Sequence, residues 1–109
     1  MKERQIGSVT VLEVRGRMVF DRSDELDEKL QSLIAAGQVN ILVECSGVSA
    51  IDGHGMGVLA RGFSRAVKVA GSLKLLTPSP SVREGLMLVG LLGVIESFTD
   101  EGEALASYK

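Results

Sequence analysis

The stretch Ala50–Phe63, AIDGHGMGVLARGF, sets an acid, Asp52, and the chain's only histidine, His54, among glycines 53, 55 and 57. Three kinds of chemistry could use such a grouping: acid–base catalysis, a cradle for phosphate, or a contact surface read by another protein. Catalysis by a nucleophile needs a base, an orienting acid and oxyanion donors together, and Asp52 with His54 cannot supply that set. A lone histidine also lacks the further ligands that hold a metal. A phosphate-binding G-x-x-x-x-G-K-[ST] loop requires a lysine and a hydroxyl that GHGMG does not contain, and the G-x-G-x-x-G spacing fails at its third glycine. What remains is backbone geometry: Gly53, Gly55 and Gly57 are expected to supply positive φ in a turn and close approach of helix to sheet. Asp52 is expected to cap the helix that follows.

The elements that must hold this stretch read as alternating strands and helices. SVTVLEVRG is β-rich and is expected to end at Gly16, with RMVF as a short hairpin partner. DRSDELDEKLQSLIAAG puts Leu26, Leu30, Leu33 and Ile34 on one helical face, with Asp21 or Ser23 as cap and Gly37 as stop. Its acids Asp24, Glu25, Asp27 and Glu28 suit a helix N-terminus first and a basic docking partner second. VNILVE reads as a buried strand closed by Cys45, an inert small hydrophobe. Ser46 and Ser49, the nearest hydroxyls to the glycine-rich stretch, are expected to satisfy turn backbone. Met56, Leu59, Phe63, Val67 and Ala70 recur at helical steps, and SLKLL is a further strand. Ser79 and Pro80 open a helix running to about Gly90 or Gly93. VIESF and DEGEALASYK read as a last strand and a short terminal helix.

At 109 residues with 45% apolar and 24% charged positions, the chain has the make-up of one globular domain over 1–109. A net charge of -2 provides no basic excess for nucleic acid. No apolar run approaches the roughly 18–20 residues of a membrane span, and the first residues lack a secretory pattern. A single cysteine forms no internal disulfide. A cytoplasmic domain without a cofactor is the expectation. Strands separated by helices imply crossovers and a largely parallel sheet, whose loops at the strand carboxyl ends meet ligands and partners.

Four segments in this order resemble the STAS domain family, and within it the small bacterial anti-sigma factor antagonists. They are VRG before a short extended piece, the acidic helix ending LIAAG, NILVECSGVSAIDGHGMGVL, and SPSVREGLMLVGLLGVIESF. The resemblance implies an α/β STAS fold: a mixed, largely parallel sheet of four to five strands with helices packed against it. It also implies a non-enzymatic, partner-switching module that regulates bacterial transcription by binding a kinase-type anti-sigma factor. In the regulatory members that partner phosphorylates a serine directly before the helix-starting glycine, and the modified antagonist lets go. Carried over by position, Asp52, Gly55 and Gly57 match, Gly53 is the small residue, and His54 stands where the serine would be. Many members carry an acid where this chain has Val19. The resemblance thus implies partner contact through Asp52, Gly53, His54, Gly55 and Met56 and no serine cycle, with Met56 partly exposed or, alternatively, a buried core methionine. An imidazole carries no phosphate dianion, so the surface should match the unmodified, binding-competent state. The alternative it offers is a STAS subunit of a lipid-transport ATPase, docking through the same face. The plain alternative is that a permissive glycine-rich turn tolerates His54 with no special role, and His54 as phospho-acceptor or catalytic base ranks last.

Overall fold

In the computed structural model, residues 1–108 form five strands and four helices: β1 (Lys2–Ile6), β2 (Val9–Met18), α1 (Asp24–Ala35), β3 (Asn40–Ile51), α2 (Gly53–Lys68), β4 (Ser72–Leu76), α3 (Pro80–Leu88), β5 (Ser97–Phe98) and α4 (Glu101–Ala106). The strands lie in the order β1-β2-β3-β4-β5. The β1–β2 pair is antiparallel and every other pair is parallel, as connections through α1, α2 and α3 require.

Two strands are longer than expected and one was not anticipated. The sequence places a strand end at Gly16, but β2 continues through it to Met18. Gly16 takes φ +85°, and the register against β3 shifts beside it, so this glycine makes a bulge rather than a stop. Arg17 and Met18 therefore extend β2, and the hairpin partner is β1, turned at Gly7 with φ +59°. KERQI escapes a hydrophobic reading because an edge strand with charged side chains keeps strand propensity but no apolar alternation. β3 likewise runs on through Ser46–Ala50 to Ile51, so Cys45 lies inside the strand, and Ser46 and Ser49 sit on it rather than in a turn.

The larger core lies between the sheet and α1–α3, built from Leu12, Val14, Leu26, Leu30, Ile41, Val43, Leu59, Leu73, Leu75 and Leu86 among others. Each such side chain contributes about 1.5–3 kcal/mol when fully buried. On α2 the buried face is Leu59, Gly62 and Ala66, while Val67 and Ala70 are exposed. The helical period holds at Met56, Leu59 and Phe63, the last packing partly buried against the core, and fails at Val67 and Ala70. Small residues carry the contact because a Cβ on Gly62 would sit 2.7 Å from Leu30 Cδ1 and 3.1 Å from Leu73 Cδ1. The opposite face of the sheet holds a smaller cluster, Val9, Val11, Leu42, Leu76 and Ala104, flanked by Phe98, Leu105 and Tyr108.

Candidate functional site

β2 and β3 end side by side, with Met18 paired to Ile51, and the main chain of Asp52 donates to Met18 O at 3.3 Å. From there α2 begins without a loop: Gly53 is already its first residue, so GHGMG forms the opening turns of the helix rather than a flexible turn. Asp52 is the cap, as expected, and Oδ1 accepts from Gly55 N–H at 2.9 Å. Its other oxygen does something the sequence did not reveal. Oδ2 accepts from Phe20 N–H, also at 2.9 Å, so one carboxylate joins the end of β2 to the start of α2. Those two donors, Gly55 first and Phe20 second, hold the Asp52 carboxyl below the usual carboxylate range.

The glycines divide by role. None of Gly53, Gly55 and Gly57 has positive φ, which corrects that part of the expectation. Close approach holds at Gly55 alone. A Cβ there would lie 2.3 Å from Met18 O and 2.8 Å from Ile51 Cγ1, so only glycine lets α2 start this near the sheet. A Cβ on Gly53 would meet nothing within 4 Å, and one on Gly57 would meet only the mobile end of the Arg61 side chain.

His54 is exposed, and its Nε2 lies 2.9 Å from Asp24 Oδ1 at the start of α1. Asp27 reaches Arg65 Nη1 at 3.3 Å, so the acids expected merely to complement the α1 dipole also link α1 to α2. The expected partial exposure of Met56 is not found. Met56 is 4% exposed, its Sδ and Cε packed within about 3.1–3.3 Å of the Cβ position of Gly85 on α3. The absence of a side chain on Gly85 makes room for the thioether, and the core takes it in. Gly55 is buried too. Of the five expected contact residues, Gly53 and His54 face solvent, Asp52 is half-buried, and Gly55 and Met56 support them from beneath.

Cys45 is buried, and desolvation first, with nearby Glu44 adding to it, pushes its thiol up to about 12, far from a reactive thiolate. Ser79 caps α3 through Val82 N–H at 3.3 Å, with Pro80 at the first helical position. Among the described residues no three His, Cys, Asp or Glu side chains are placed to hold a metal ion, and no helix is long and apolar enough to cross a membrane. The residue that sequence reasoning missed is Phe20, 74% exposed at the start of the short 3-10 helix Phe20–Ser23 between β2 and α1. In the sequence it closes the apolar piece RMVF, which hides it among strand residues.

The STAS domain family model matches residues 1–104. The chain belongs to the STAS domain family. A search of curated proteins returns no match. Among solved structures, a Thermotoga maritima protein assigned as an anti-sigma factor antagonist superposes with a TM-score of 0.91 at 18% identity, covering 98% of this chain and 92% of that one. The anti-sigma factor antagonist SpoIIAA in its unphosphorylated form gives 0.81 at 24% identity, covering 95% and 91%. The Bacillus SpoIIAA in its phosphorylated form gives 0.78 at 23%, covering 99% and 98%. At these identities the likeness establishes the STAS fold, with its five-stranded mixed sheet and four helices. The protein's structural neighbours thus include anti-sigma factor antagonists.

Proposed function

We propose that this STAS protein is a non-enzymatic binding module that docks a kinase-type anti-sigma factor through the start of α2, and that serine phosphorylation does not release it. The observation that carries this reading is His54. It stands exposed at the second position of α2, where the family resemblance puts the acceptor serine, and its ring is tied to Asp24. A phosphoserine at that point would add about -1.5 to -2 charges and three acceptor oxygens to an interface, enough to break docking. The helix N-terminus beside it would tolerate the anion, since its free N–H groups and dipole favour negative charge. An imidazole at the same place offers no hydroxyl to modify. SpoIIAA exists in phosphorylated and unphosphorylated forms, and this chain would correspond to the unmodified one.

The contact set contracts to what solvent reaches: Gly53, His54 and the exposed edge of Asp52, with Gly55 and Met56 fixing their height above the sheet. The experiment is to incubate the protein with purified kinase-type anti-sigma factor and ATP, then read intact mass and site by mass spectrometry. The expected result is no phosphate on the native chain and stoichiometric phosphate on His54→Ser. Stoichiometric phosphate on any serine of the native chain would refute the lost switch.

A further inference from the structure

Phe20 is the one aromatic side chain that the fold leaves in solvent among those described, since Phe63, Phe98 and Tyr108 are all partly buried. Its backbone is also unusual. φ is +48°, the left-handed region that a bulky residue rarely occupies; the smaller Thr77 at +48° and Ala70 at +61° share it. Two side chains hold it there. Asp52 Oδ2 accepts from Phe20 N–H at 2.9 Å, and the hydroxyl of Ser23, itself 1% exposed, donates to Phe20 O at 2.8 Å. The chain therefore clamps both peptide groups of this residue in a strained conformation while leaving the ring at 74% exposure. Nothing in the packing uses the ring, and glycine would meet the same backbone requirement without strain. Strain maintained by surrounding groups is a feature of ligand and partner contacts.

Position connects this ring to the docking face. The carboxylate that pins Phe20 is the one that caps α2 below His54, so a single group sets where both are presented. Arg17 and Arg22 are exposed on either side of Phe20 in the chain, with the exposed Asp21 between Phe20 and Arg22. With Lys2 and Arg15 they line an open cleft, which Phe20 does not line, whose acids are Glu13, bonded to Arg4 and 3.8 Å from Arg15 Nη2, and Glu25.

We propose that Phe20 is the apolar anchor of the docking surface, entering a socket on the partner protein whose rim carries carboxylates facing Arg17 and Arg22. This rests on the docking function proposed above. Buried aromatic anchors dominate the energy of protein interfaces, while rim charges govern the rate of encounter.

The test uses the full chain and, as probes, the purified kinase-type anti-sigma factors of the same genome. Phe20→Gly should keep or raise the thermal midpoint, because it relieves strain without opening the core. It should weaken binding at least tenfold. The double variant Arg17→Glu/Arg22→Glu should slow association and change its salt dependence. Native-like binding by Phe20→Gly would overturn the anchor and leave the docking function standing. A lowered midpoint would show that the ring serves the fold, and overturns the anchor also. Unchanged association of the double variant would remove the acidic rim and this choice of partner. Failure of the native chain to bind any probe would overturn the docking function and the anchor together.

Discussion

Protonating Asp52 would take away the charged acceptor that Gly55 and Phe20 share. Its folded-state carboxyl titrates below the ordinary value, so the stabilisation it gives is complete above the unfolded value of roughly 3.9. That stabilisation is lost as pH falls through the lower, folded value. Urea midpoints followed from pH 6 to pH 3 should therefore decline in acid, and Asp52→Asn should decline less steeply. The slope that survives in the variant belongs in part to Glu101, whose carboxyl the Arg4 guanidinium also holds below the usual range. Both carboxylates are reached by solvent at one edge, so added salt should shrink Glu101's share more than that of Asp52, whose acceptor bonds go to main-chain N–H groups. At His54 the same reasoning concerns binding. His54→Asp adds a fixed charge facing Asp24 and beside Asp52, and should lower affinity for the partner in titration calorimetry, whereas His54→Ser without ATP should bind like the native chain.

At the scale of elements, α2 meets the sheet through residues that lack side chains, and substitution at two neighbouring glycines should separate geometry from propensity. Gly55→Ala drives a Cβ into Met18 O and should cost about 1–3 kcal/mol in chemical denaturation, near the upper end because the obstacle is main chain. Gly53→Ala meets nothing and should be neutral or stabilising by a few tenths of a kcal/mol, within the roughly 1 kcal/mol that separates the two residues inside helices. Sequence alone predicted the apolar face of α1, the α2 cap at Asp52, the Ser79–Pro80 start of α3 and a last strand at β5, because capping chemistry and apolar spacing are local. The α1 cap expected of Asp21 or Ser23 is not made, the Ser23 hydroxyl donating to Phe20 O instead. β1 was hidden because an edge strand needs no apolar alternation. Met56 was misplaced because its burial depends on a glycine 29 positions further on, which no local period records. Phe20 was missed for the same reason: the carboxylate that holds it lies on another strand's end.

For the molecule as a whole, the sheet is covered on both faces, by three helices on one side and by α4 with Tyr108 on the other. Lys74 fastens that second cover. Its Nζ donates to Ser107 O at 3.0 Å and to Ser107 Oγ at 2.8 Å, and stands 4.7 Å from the Tyr108 ring centroid. The Tyr108 hydroxyl donates to Ile41 O, and burial raises it above its ordinary range. Lys74→Ala should speed hydrogen exchange across 101–108 and leave the start of α2 as protected as before, because α2 packs on the other core. That separation allows binding to be read without interference from the fold. The most direct measurement is the lifetime of the complex with a kinase-type anti-sigma factor, before and after incubation with ATP. The native chain should dissociate at the same rate in both, while His54→Ser should be released once ATP has acted. Release of the native complex by ATP would contradict the account, because a covalent switch would then exist outside His54.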